Sequence, residues 1–177
     1  MTYRDQIVAA MNWLGQQDRV CFLGYNTRYG RAGGSLADVP EDRLFEMPLA
    51  ENLMFGAAIG MSLDGRIPVV WCERADFLFC GMDAIVNHLN QIRKLSEGQH
   101  KPAAIIRVCI GNSKTPLFTG PTHTQDPSEA MRLLVSFPVE VLGTPESILP
   151  QYCRAFERAK KGISTMLFEH KDRYSET

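Results

Sequence analysis

Apolar residues recur along this chain in two alternating rhythms. Ile7, Met11 and Leu14, with Ala10 between them, fall at helical spacing and predict an amphipathic helix over residues 3–16. A short apolar run follows, residues 20–23, stopped by Gly24, as a buried strand would be. The same alternation then repeats. Helices are predicted over residues 50–63, 82–95, 128–134 and 145–160, and strands over 67–72, 103–109, 139–142 and 164–168. Pro145 suits a first helical turn, and Ile85, Leu89 and Ile92 are in helical register. In the helix over residues 50–63, Gly56, Ala57 and Gly60 leave gaps that let another backbone come close.

Near-continuous apolar strands separated by helices imply an α/β fold: a doubly wound, mostly parallel sheet with helices on both faces. Ligands in such sheets sit beyond the carboxyl ends of the strands. The loops expected there are residues 25–38, 72–81 and 110–126, and Glu51 opens the helix after the first of them. One domain over residues 1–170 is expected, with a polar tail over 171–177.

Composition narrows the functional class. With 177 residues, 45% hydrophobic and 22% charged, and a formal net charge of -1, the chain reads as a globular domain with no nucleic-acid or polybasic membrane surface. No apolar run approaches the roughly 20 residues of a membrane helix, and no signal peptide is apparent. The five cysteines are odd in number and widely spaced. Cys21, Cys72 and Cys109 fall in apolar runs, which points to core thiols and a cytoplasmic protein. No two-histidine helical pair or carboxylate cluster points to a metal site on this chain. The glycines at 30, 33 and 34 do not match a dinucleotide loop, and Gly111-Asn112-Ser113-Lys114-Thr115 lacks the first glycine and following helix of a phosphate loop.

Taken singly, Glu51 is an acid favoured in a first helical turn, and His123 is a histidine in a Gly-Pro turn. Their setting is more specific. Glu46-Met47-Pro48-Leu49-Ala50-Glu51, Gly65-Arg66-Ile67-Pro68-Val69-Val70, Ala75-Asp76-Phe77-Leu78-Phe79, Asp83-Ala84-Ile85-Val86-Asn87 and Gly120-Pro121-Thr122-His123-Thr124-Gln125 occur in order. Together they resemble the pyrimidine-binding domain of thiamine diphosphate-dependent enzymes, as found in 2-oxo acid dehydrogenase beta subunits and in the middle domain of transketolase. The resemblance runs to Lys171. The Ala-Asp-Phe and Asp-x-x-x-Asn segments look like the dehydrogenase branch, and Gly-Pro-Thr-His looks like the transketolase branch.

The resemblance implies roles for particular residues. Glu51 matches the glutamate that hydrogen-bonds the aminopyrimidine ring nitrogen and favours the imino tautomer, which needs a carboxyl group in a desolvated place. Phe77 matches the aromatic wall of the pyrimidine, Leu49 lies beside it, and Phe79 is expected in the core. His123 matches the histidine that reaches the reacting carbonyl or hydroxyl. Asn26, Arg28, Arg74 and Gln125 are weaker substrate candidates; Arg74 stands where many relatives carry an aromatic, and either binds an anionic substrate or pairs with Glu73. The Gly-Asp-Gly motif that holds the diphosphate and Mg2+ is not found here, nor is the usual C-terminal domain of these proteins. The resemblance therefore implies a separate diphosphate-binding subunit, an α2β2 heterotetramer, and thiamine diphosphate with Mg2+ held by the partner. Substrates would be a 2-oxo acid, decarboxylated with acyl transfer to a lipoyl or carrier-protein acceptor, or a ketose phosphate in two-carbon ketol transfer. The rival reading is a non-catalytic assembly or regulatory subunit that retains the fold.

Overall fold

The structure, a computed structural model, describes residues 1–118 and 120–177, so position 119 of the expected loop 110–126 lies outside the described residues. The first helix, α1 (Tyr3–Gly15), opens on a reciprocal cap: Thr2 Oγ1 accepts from the Asp5 amide while Asp5 accepts from the Thr2 amide. Strands β1 (Val20–Gly24) and β2 (Leu44–Glu46) lead to α2 (Glu51–Leu63) and β3 (Ile67–Cys72). A 3-10 segment, Ala75–Gly81, a π-helical stretch, Asp83–Leu89, and α3 (Ile92–Leu95) precede β4 (Ile105–Ile110). The chain ends with α4 (Ser128–Leu134), β5 (Val139–Val141), α5 (Pro145–Ala159) and β6 (Thr165–His170).

All six strands are parallel, in the order β2-β1-β3-β4-β6-β5. The expected doubly wound α/β sheet is therefore present, with one strand more than the sequence predicted. β2 is too short for a period to show, and it pairs Leu44 with Phe22 at the sheet edge. Apolar side chains bury on both faces. α1 and α5 cover Phe22, Val69, Ile105 and Leu167; α2, the π-helical stretch and α4 cover Leu23, Val70, Ile106 and Phe168. The chain leaves β1 towards β2 on one side and leaves β3 towards β4 on the other, which places the topological switch between β1 and β3.

Two expectations need correction. The helix predicted over residues 82–95 is interrupted. The Asn90 amide reaches back five residues to the Ile85 carbonyl, and Gln91 then reaches back only three, to His88. Asn52 Oδ1 takes the Ala84 amide at its start (3.1 Å), and Asn90 Oδ1 accepts from the Ser136 amide and hydroxyl at its end. The wide turn at Asn90 followed by the tight turn at Gln91 is what breaks the regular ladder. The polar stretch 171–177 is docked rather than trailing. Carbonyls of Tyr174 and Glu176 accept the otherwise unpaired amides of Arg4 and Tyr3 at the start of α1, and the Tyr174 ring stacks on Tyr3 at 6.3 Å.

One ion pair lies inside the α1/α5 face. Arg107 on β4 and Glu169 on β6 are both buried and joined by two bonds, 2.8 and 2.9 Å. Arg107 also donates to Ser35 Oγ (2.6 Å) and lies over the Trp71 ring, while the Tyr174 hydroxyl donates to Glu169 (2.6 Å). Burial works against the guanidinium charge, but Glu169, joined by the Tyr152 and Tyr174 hydroxyls, outweighs it and holds Arg107 above the ordinary arginine range. Burial, with Glu169 adding to it, pushes the nearby Cys109 thiol up to about 11, so it stays a neutral core thiol at neutral pH. Removing one partner leaves the other charge buried and alone. Arg107→Met is expected to lower unfolding stability by about 3–5 kcal/mol in denaturant titration, and Arg107→Met with Glu169→Leu to recover most of that loss.

Candidate functional site

The chain leaving β2 stays tied to the end of β1, where the Met47 amide donates to the Gly24 carbonyl (3.0 Å). Pro48 then turns it, and Ala50, at the cap of α2, offers no side-chain cap. Glu51 follows as the first helical residue, only 9% exposed, and its carboxylate accepts no hydrogen bond among the described residues. Beneath it the buried Cys72 thiol is pushed up, first by burial and then by the Glu51 charge. Gly81 presses the Ala75–Gly81 segment onto this first turn: a Cβ there would stand 2.4 Å from Cδ2 of Phe55 and 3.4 Å from the Glu51 carbonyl carbon.

Within that segment Ala75, Leu78 and Gly81 are buried, the spacing of a three-residue turn. This leaves Phe77 half-buried and turns Phe79 outward, 51% exposed. Phe79 is thus not the core residue expected; Leu78 fills that place. The Phe77 ring meets the His123 ring edge-on, centroids 5.2 Å apart. His123 closes the 3-10 turn Gly120–His123, and its Nδ1 lies 3.0 Å from Thr122 Oγ1. Asp76, also buried, accepts from the Gln125 amide (3.4 Å). The Ala75–Gly81 segment therefore holds Glu51 on one flank and the His123 loop on the other.

Arg74 precedes that segment and is buried. Its Nη1 donates to the Glu73 carbonyl (2.7 Å), whereas the Glu73 carboxylate is 4.0 Å away. Arg74 and Lys171 together line two clefts. One, of about 220 Å³, also holds His123, Gly111 and Asn112; the other, of about 340 Å³, holds Arg4, Ser35, Trp71 and Arg107. The remaining sequence candidates are placed elsewhere. The Glu46 carboxylate accepts the amides of Asn26, Arg28 and Tyr29, and the Arg28 guanidinium pairs with Glu41 at 2.7 Å, beside the β2 edge. Asn26 Nδ2 reaches Glu73 at 3.5 Å. Leu49 is 61% exposed and Gln125 is exposed.

Sequence reasoning did not single out Arg107, Glu169, Ser35 or Lys171. The first two carried a signal: each is one charge inside an apolar strand, and two such charges on neighbouring strands must pair. Ser35 and Lys171 had no local signal, because only the fold brings them together.

Over residues 1–175 the sequence matches the family described as "Transketolase, pyrimidine binding domain". The chain belongs to this family. Relatives include the 2-oxoisovalerate dehydrogenase subunit beta of Pseudomonas aeruginosa, 30% identical over 111 residues, which are 63% of this chain and 28% of that protein. The pyruvate dehydrogenase E1 component subunit beta of Acholeplasma laidlawii is 32% identical over 71 residues, 40% of this chain and 22% of that protein. Among solved structures, "Split gene transketolase, inactive beta4 tetramer" has the same fold, with a TM-score of 0.67 at 18% identity, covering all of this chain and 52% of that one. The matched region thus spans about half or less of each of these relatives.

The family's cofactor makes definite demands on this side of its site, and the residues present fit them. A buried carboxylate with free acceptor capacity, Glu51, stands beside a half-buried aromatic, Phe77. Among the described residues there is no cluster of three or more His, Cys, Asp or Glu side chains able to hold a metal ion.

Gly111 sets the height of the His123 loop. A Cβ at residue 111 would lie 1.8 Å from the His123 carbonyl oxygen, a backbone atom that cannot swing aside. Gly111→Ala is expected to displace residues 120–125 and break the Phe77–His123 contact. The check is the His123 imidazole resonances by NMR, which should shift while resonances of α1 and α5 stay in place.

Proposed function

We propose that this chain supplies the pyrimidine side of a thiamine diphosphate site whose diphosphate and Mg2+ side lies on a separate subunit, in an α2β2 assembly. The observation that carries the reading is Glu51, a buried carboxylate without a hydrogen-bond donor at the first turn of α2. When bound, thiamine diphosphate supplies a carbanion that attacks a substrate carbonyl. Glu51 holds the proton at the aminopyrimidine ring nitrogen, and Leu49 and Phe77 form the apolar wall. His123 donates a hydrogen bond to the reacting oxygen; its position against Phe77 keeps the imidazole edge-on and steady. An assembly subunit that had merely kept the fold would have no use for a largely buried carboxylate without a hydrogen-bond partner among the described residues.

Arg74 and Lys171 stand at the boundary of the two clefts and favour a substrate that carries an anionic group, a 2-oxo acid or a ketose phosphate. Both substrate classes are consistent with the family. The neighbour described as an inactive beta4 tetramer supports a chain that does not turn over alone.

The test is reconstitution with a separate subunit that carries the Gly-Asp-Gly diphosphate motif, thiamine diphosphate and Mg2+. Glu51→Gln is expected to lower kcat by about 100-fold or more while the assembly forms normally by size-exclusion chromatography. Full turnover with Glu51→Gln would refute the reading. Arg74→Met is expected to raise KM about tenfold for the anionic substrate with a smaller change in kcat.

A further inference from the structure

The opposite end of the sheet carries a feature that the site reading does not use. Four adjacent strands, β1, β3, β4 and β6, start from turns that each carry a cation. Arg19 precedes β1, Arg66 precedes β3, Lys101 precedes β4, and Lys160 and Lys161 precede β6. These five side chains line one cleft of about 370 Å³, and no carboxylate lines it with them.

Local structure accounts for only part of this cluster. Lys160 pairs with Glu157 at 2.6 Å and lies over the Phe156 ring, as suits the C-terminal end of α5. Arg66 lies over the Phe45 ring. The side chains of Arg19, Lys101 and Lys161 have no hydrogen bond or ion pair among the described residues. Arg19 is not needed to satisfy the turn between α1 and β1, because Arg43 already donates to the Gln17 and Val20 carbonyls there. Lys101 and the α5–β6 turn are also pressed together. Gly162 has φ +71°, and a Cβ there would stand 2.6 Å from Lys101 Cβ and 2.8 Å from the Lys101 carbonyl oxygen. A glycine is thus required for the α5–β6 turn to pack on Lys101, which brings Lys161 into the same cleft, an arrangement that like charges resist.

We propose that this cleft binds a linear polyphosphate anion. Neighbouring strands are about 4.8 Å apart, so the turns present cations as rungs that a chain of linked phosphates can follow. The cleft is small and confined to four turns, and the chain as a whole has a formal net charge of -1. Both facts favour a compact polyanion over an extended nucleic acid. The site lies at the amino ends of the strands, away from Glu51 and His123, and is independent of the reading given above.

The experiment is isothermal titration of the intact chain with inorganic tripolyphosphate, without metal, at about 0.15 M salt, where exposed charges are largely screened. Saturable binding is expected, at least about tenfold tighter than orthophosphate. Lys101→Glu and the milder Lys161→Gln should each weaken it by about tenfold, with unchanged far-ultraviolet circular dichroism. Lys94→Glu, an exposed cation on α3 outside the cleft, should leave affinity within about twofold. Absence of saturable binding, or an equal loss in Lys94→Glu, overturns the proposal. Tighter binding of a hexaglutamate peptide, abolished by the same cleft variants, also overturns it and assigns the cleft to an acidic protein segment.

Discussion

The Arg107–Glu169 pair is the interaction on which the working end of this molecule depends. Two opposite charges meet among the buried apolar residues of β4 and β6, and each is expensive to bury without the other. Their mutual need joins β4 to β6 at a fixed height. It also reaches outward: Arg107 holds Ser35 in the loop after β1, and Glu169 holds Tyr174 in the C-terminal stretch. Trp71 on β3 completes the set by stacking under the guanidinium. The segments after β1 and β6, with Trp71 of β3, are thereby anchored to one buried ion pair, and all three line the larger of the two clefts shared by Arg74 and Lys171.

The second determinant is close backbone approach. Gly81 lets the Ala75–Gly81 segment press on the first turn of α2, and Gly111 lets the His123 carbonyl lie almost on the end of β4. Both glycines do their work through absent side chains. Between them the segment carrying Asp76 and Phe77 is fixed from two directions. Glu51 and His123 are far apart in sequence, yet each is positioned against this one short turn. A site assembled in this way needs few side-chain hydrogen bonds of its own, which leaves the Glu51 carboxylate free to accept one from a ligand.

The fold was legible in the sequence wherever a buried face imposed a period. The strands over residues 67–72 and the helices over 128–134 and 145–160 were predicted nearly as found, because each repeats its apolar positions over enough residues to register. β2 was not, because three residues carry no period. The single helix expected over residues 82–95 failed for a different reason: its ladder widens at Asn90 and tightens at Gln91, while Asn52 and Ser136 tie its start and its break, and periodicity is blind to partners remote in sequence. Glu51, Phe77 and His123 could be nominated only as a set, since each alone is an ordinary residue in an ordinary place; the fold sets Glu51 and the Phe77–His123 pair against one short turn. Phe79 was misplaced because a 3-10 turn buries every third residue, which an apolar run does not reveal. The two-cleft arrangement around Arg74 and Lys171 was not legible at all, as it exists only once β3 and β6 end side by side with β4 between them.

The exposed side of α2 connects these local facts to the proposed assembly. Leu49, Leu53 and Phe79 stand out into solvent near the buried Glu51, and Leu63 does so at the far end of α2. Gly56 and Gly60, on the same exposed side, face open space in which a Cβ would meet nothing. Within this chain the two glycines gain no packing and weaken a helix by roughly 0.5–1 kcal/mol each relative to alanine. Their retention is explained if another backbone lies against them, since only a residue without a side chain permits that approach. The same covering would remove the exposed leucines from water and exclude solvent from Glu51. A carboxylate largely buried by its own fold and then covered by a second polypeptide would stand in the low-dielectric setting the proposed chemistry requires.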